Sequence, residues 1–230
     1  MKNTISISIF LVLIFISSCN EQKGKLEKSV IEQAEETQED KFYLNCKKKS
    51  INGIEFKACI KRPGNFTIIN SDKKLVYEHE DNPAEFEFSD FNGDGFSDIL
   101  LDYFTNVPGI KELLIFNPEK NDFERIVGFT NFPSAIKIKG TDFYYSYHRS
   151  GCADNNWDSD LFKIIDNKAI RFGNIKGIGC GIDNENGIYI NKVNGQKLEQ
   201  IKFTPREEGY WDGKWEFIEK YWTKNHNKFE

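Results

Sequence analysis

The chain has 230 residues, of which 39% are hydrophobic, enough for one sizeable domain with a real core. Its 36 acidic and 31 basic residues leave a net charge of −5. With no basic cluster, that balance argues against nucleic acid as a partner. Zinc is disfavoured as well, because there is no Cys-x-x-Cys and the histidines, His79, His148 and His226, are scattered.

In chain order, Met1 and Lys2 make a weakly positive start, and Ile5 to Ile16 form an apolar run too short to span a bilayer. The run closes on Ile16-Ser17-Ser18-Cys19, which resembles the lipobox of bacterial lipoproteins. The resemblance implies that residues 1–18 are a signal peptide and that Cys19 becomes a lipidated N-terminus. Stable anchoring then takes more than one acyl chain. Asn20 is not the Asp associated with inner-membrane retention, so an outer-membrane anchor is expected, on either the periplasmic or the surface face. Residues 19–41 are charged and lack aromatics up to Lys41, and they read as a tether with helical spacing at Leu26, Val30 and Ala34.

From residue 42 to 230 the expectation is an all-β domain. Short aromatic or β-branched runs such as 54–60, 65–70, 84–90, 98–104, 111–117 and 187–193 are bounded by turn residues. Asn52-Gly53, Pro63-Gly64, Asn194-Gly195 and Asp212-Gly213 mark the turns. The aromatic content, with 20 Phe, 9 Tyr and 4 Trp, suits cross-strand packing. Residues 214–222, KWEFIEKYW, read as the last strand, with no helix of core length beyond the tether. Beyond Cys19, four cysteines in an exported chain imply two disulfides. Three pairings exist; Cys46–Cys59 and Cys152–Cys180 are expected, since each pair flanks a hairpin or adjoining loops.

Within 89–101, SDFNGDGFSDILL, the spacing D-x-N-x-D-G-x-x-D joins one alternating strand to one buried strand. Calcium takes six to eight oxygens in a flexible shell. The expected donors are the side chains of Asp90, Asn92, Asp94 and Asp98 and the Phe96 carbonyl. Leu101 stands where an EF-hand would need Glu, and no helices flank the loop. The stretch resembles the calcium loop of FG-GAP and VCBS-type repeats, which implies part of a propeller blade. It occurs once here, so a small or degenerate β-propeller-like domain of antiparallel hairpins is expected. A second, weaker candidate for an ion is Asp154, Asn156, Asp158 and Asp160, which lacks the central Gly.

The order of motifs over residues 84–171 is similar to that of small exported calcium-binding proteins related to periplasmic lysozyme inhibitors. Some of these serve as immunity proteins against peptidoglycan hydrolases. In those families a Ser-Gly loop followed by Tyr enters the hydrolase cleft. Here Arg149-Ser150-Gly151 precedes Cys152, and Trp157 is the nearest aromatic, so these residues are the expected partner contact. The alternative is a surface glycan-binding or adhesion lipoprotein using Trp211 and Trp215. No nucleophile elbow, phosphate-cradling glycine motif or His-rich metal site is present, so an enzyme is not expected. The lipidation reading predicts that Cys19→Ala releases the protein from membranes with its fold intact. Fractionation that still finds the variant in the membrane pellet would refute it.

Overall fold

The computed structural model describes residues 43–62, 64–181, 185–195, 197–206 and 213–230. The expected signal peptide, Cys19, the tether and Trp211 lie outside the described residues.

Three antiparallel sheets account for the strands, which makes the all-β expectation correct at the level of class. The first sheet is a meander of β1 (Tyr43–Ile51), β2 (Ile54–Lys61), β3 (Phe66–Asn70) and β4 (Leu75–His79). Asn52 and Gly53, at φ 50° and 78°, make the β1–β2 turn, which matches the right-handed twist of the strands it joins. The second sheet is another meander, of β5 (Glu85–Ser89), β6 (Asp98–Asp102), β7 (Lys111–Asn117) and β8 (Asp122–Arg125).

The third sheet holds β9 (Ile136–Lys137), β10 (Phe143–Tyr145), β11 (His148–Arg149), β12 (Trp157–Ile165), β13 (Lys168–Ile178), β14 (Gly187–Asn194) and β15 (Lys197–Pro205). Among the described residues the sheets do not close into a barrel or ring.

The second sheet is the middle layer. Phe86, Ile99, Leu101 and Phe116 face Phe56, Phe66 and Ile68 of the first sheet. Leu100, Leu113 and Ile126 share a separate cluster with Phe129, Phe132, Tyr144 and Phe162 on the side of the third sheet. Burial on both faces explains why residues 99–101 are continuously apolar rather than alternating.

The expected last strand is a helix, and this corrects the sequence reading: α1 spans Lys214–Asn225. Its buried residues, Lys214, Ile218 and Trp222, recur every fourth position. Strand alternation would instead have put Glu219 on one face with Trp215, Phe217 and Tyr221. The helix also brings Glu216 and Lys220 together as an i,i+4 ion pair. It covers the outer face of the third sheet, where Trp222 Nε1 donates to Ser159 Oγ at 2.8 Å. Gly173 of β13 makes that approach feasible, because a Cβ there would come within 2.6 Å of Phe229 and 3.0 Å of Trp222.

Both expected disulfides are present. Cys46 and Cys59 are direct cross-strand partners on β1 and β2, with Cα atoms 4.2 Å apart. Cys152 and Cys180 join the loop before β12 to the loop after β13, at a Cα separation of 6.5 Å. Replacing either pair by serine is expected to cost about 2–4 kcal/mol in unfolding free energy. Non-reducing peptide mapping of exported protein should recover both links, and free thiols there would refute the pairing.

Candidate functional site

The loop between β5 and β6 is pinned to both faces of the middle sheet by alternate aromatic residues. Phe91 stacks on Tyr144 with ring centroids 5.3 Å apart, in the core shared with the third sheet. Phe96 packs against Phe116, at 5.7 Å, in the core shared with the first. Between them the polar side chains fold back on one turn. Asp90 Oδ1 and Asn92 Oδ1 both accept from the Asp94 amide at 3.0 Å. Asp90 Oδ2 accepts from Gly95 N, and Asp94 Oδ1 accepts from Phe96 N. Gly93 and Gly95, at φ 73° and 93°, supply the left-handed positions that wrap the chain around these oxygens.

Asp98 stands apart from that group. Its side chain is fully buried at the start of β6. Oδ2 accepts from Phe91 N at 3.0 Å and Asn92 N at 3.2 Å, and Oδ1 accepts from Phe116 N at 3.0 Å. Burial pushes its pKa up to about 6, against the pull of those three amides. Asp98 therefore staples the loop to β7.

The donor chemistry around Asp94 fits a hard cation: two carboxylates and an amide oxygen in an exposed, tightly wound turn. Among the described residues, no three Asp, Glu, His or Cys side chains gather as a ligand set. Asn92 contributes an amide, and Asp98 has three backbone partners. On the outer side, Lys137 Nζ donates to the Asn92 carbonyl.

The second acidic stretch is dispersed. Asp154 accepts from Tyr147 Oη at 2.6 Å and Lys214 Nζ at 2.7 Å. Burial works to raise its pKa, but the hydrogen bonds from Lys214 and Tyr147 lower it overall. Asn156 Oδ1 accepts from Gly179 N and Cys180 N, while Asp158 and Asp160 are bridged by Asn174. Asp160, almost wholly buried, is paired with Arg171 at 2.9 Å. Apart from Asp158 and Asp160, which share Asn174 Nδ2, these side chains do not turn toward a common point.

The expected contact loop is exposed over Arg149, Ser150 and Gly151. Arg149 donates to the Asn106 carbonyl at 3.1 Å, which links it to the β6–β7 loop. Gly151 sits at φ 103°, ψ −173°, a region open only to glycine. Cys152, Ala153 and Asp154 follow with φ of 55°, 49° and 70°, three consecutive left-handed non-glycine residues. The disulfide and the Lys214–Asp154 ion pair hold them there. Trp157 requires a correction: it is completely buried in the core beneath α1, where it cannot reach a partner. Trp215, 55% exposed on α1, packs instead on Tyr147 with centroids 3.9 Å apart.

One cluster was not anticipated. Glu112 of β7, 5% exposed, accepts from Tyr103 Oη at 3.3 Å and is paired with Arg125 and with His79 Nε2, the latter at 2.9 Å. His79 Nδ1 accepts from Asp81 N at 3.0 Å, and Nε2 faces Glu112. Burial, then Glu112, push Tyr77 up to about 12. A Glu among apolar neighbours in KELLIFN was the available signal, but its partners lie on other strands.

No protein-family model matches the chain, and no curated protein matches it. A solved structure described as that of a Xanthomonas Type IV Secretion System related protein aligns over 68% of this chain and 93% of its own, at 12% identity and a TM-score of 0.43.

The geometry separates two kinds of aspartate. Asp98→Asn places an NH2 group against backbone N–H donors and should cost about 3 kcal/mol or more with or without calcium. Asp94→Ala, which loses exposed hydrogen bonds from Phe96 N and Asn92 Nδ2, should cost less than Asp98→Asn in the absence of calcium. Equal losses for the two variants in calcium-free denaturant titrations would overturn the distinction.

Proposed function

We propose that this chain is an exported, lipid-anchored calcium-binding β module that acts by binding a protein, with a peptidoglycan hydrolase as the target class. The observation that carries the reading is the preorganised loop 149–154. At Cys152, Ala153 and Asp154 its backbone is held in left-handed conformations by a disulfide and an ion pair, with Arg149, Ser150 and Gly151 facing solvent. Ordering a contact loop in advance lowers the entropic cost of association. Backbone outliers of this kind cluster at functional surfaces. The two disulfides suit an oxidising compartment. The anchor is Cys19, in the outer membrane. The three stacked sheets read as blades of an open, degenerate propeller.

In this proposal calcium is structural. Asp90, Asn92 and Asp94 would hold it with the Phe96 carbonyl, while Asp98 orders the loop and can contribute its remaining lone pair. The ion would relieve repulsion between carboxylates and fix the turn that Phe91 and Phe96 anchor. At a free calcium concentration a hundredfold above its dissociation constant, binding adds about 2.7 kcal/mol to stability. A glycan-binding reading draws on the exposed Trp215 against Tyr147.

Chelation should lower the melting temperature, and Asp94→Ala should remove that dependence. Gly151→Ala should weaken binding to a target hydrolase by about tenfold or more, with calcium-dependent melting unchanged. Calorimetry with no calcium heat would sink the metal reading. A calcium-loaded protein that binds none of a broad panel of lysozymes and peptidoglycan hydrolases, yet shifts its Trp emission with glycans, would favour the glycan reading.

A further inference from the structure

A groove of about 750 Å³ opens between the first and second sheets, beside the Glu112 cluster. Leu44 and Ile60 line one side, Asp81 and Pro83 another, and Phe104 the rim, with Glu112 at the floor. Two features of this lining are unexplained by packing. Phe104 is 95% exposed and Leu44 is 50% exposed, both at the mouth of the groove. The charged lining residues among those described are both acidic. Glu112 is paired with Arg125 and His79, and Asp81, whose Oδ2 lies 4.0 Å from His79 Nδ1, is the more exposed of the two carboxylates. The Asp81 carboxylate is 76% exposed, and its backbone is held in place by the hydrogen bond to His79.

We propose that this groove receives a lysine or arginine side chain carried on an apolar segment of a partner protein. An open aromatic face at the rim suits cation–π contact. An exposed carboxylate in the same lining suits the charge, and the apolar walls suit the methylene stem and its neighbours. A second copy of this chain is a poor occupant, because two molecules of net charge −5 repel one another. The groove lies across the β6–β7 loop from Gly151: Phe104 and Thr105 line it, while Asn106 and Val107 face the 149–154 loop. The inference does not depend on the target class proposed above.

The test titrates the full mature chain with the synthetic peptide acetyl-Leu-Lys-Leu-Arg-Leu-amide and with its Glu-for-Lys, Glu-for-Arg counterpart, followed by calorimetry and by NMR shifts at Phe104 and Leu44. The basic peptide should bind at the groove and the acidic one should not. Asp81→Asn and Phe104→Ser, both surface changes, should each weaken binding by about fivefold with melting temperature unchanged. Equal binding of the two peptides, absence of binding, or variants without effect would overturn the proposal. So would Phe104 signals that shift with concentration of the protein alone, which would assign the groove to a second copy. Phe104 signals that respond only to Lys23→Glu, Lys25→Glu or Lys28→Glu would assign it to the chain's own N-terminal segment. Failure of the peptide leaves the hydrolase assay on Gly151→Ala intact, so the two readings fail separately.

Discussion

The carboxylate of Asp98 sits where the loop, the middle sheet and both cores of that sheet meet. It accepts from two amides of the loop and from one of β7, all without access to water. An unpaired amide in that position would carry the full desolvation penalty of a buried polar group. The carboxylate therefore fixes where β6 begins and which way the preceding turn faces. Phe91 and Phe96 then enter opposite cores, so the first and third sheets are positioned against a loop that itself depends on Asp98.

Two surfaces gain their shape from this arrangement. The β6–β7 loop leaves the far end of the strand that Asp98 starts, and it forms a wall of both. On one side Arg149 reaches its Asn106 carbonyl, and the disulfide-held turn follows. On the other, Phe104 overhangs the groove floored by Glu112. Rigid sheets carrying loops of unusual backbone are a common basis for recognition, because the scaffold bears the cost of holding the loops.

Much of the local architecture was legible in the sequence. Asn52-Gly53 announced its hairpin, and the even number of cysteines beyond Cys19 was readable as a framework of two pairs. The spacing from Asp90 to Asp98 announced a wound turn between two strands. The role of Asp98 was not legible, since a motif gives spacing and not direction. Which amides its oxygens accept from depends on how β7 lies alongside. Trp157 failed as a contact for the same reason: an aromatic near a loop can turn inward, and here the core under α1 takes it whole.

By itself, the sequence determined the features that follow from short-range chemistry: turns that need left-handed residues, strands that alternate, and a central strand apolar on both faces. Tertiary structure alone decided the state of residues 214–225, because an aromatic run fits strand or helix until a surface is offered. The outer face of β12 and β13, opened by Gly173, offered a stripe for Ile218 and Trp222, and a helix presents those two while turning Lys220, which a strand would place between them, out to solvent. It also decided the Glu112 cluster and the groove above it, whose members come from separate strands and loops. Contacts between residues far apart in the chain depend on packing geometry, which no local pattern encodes.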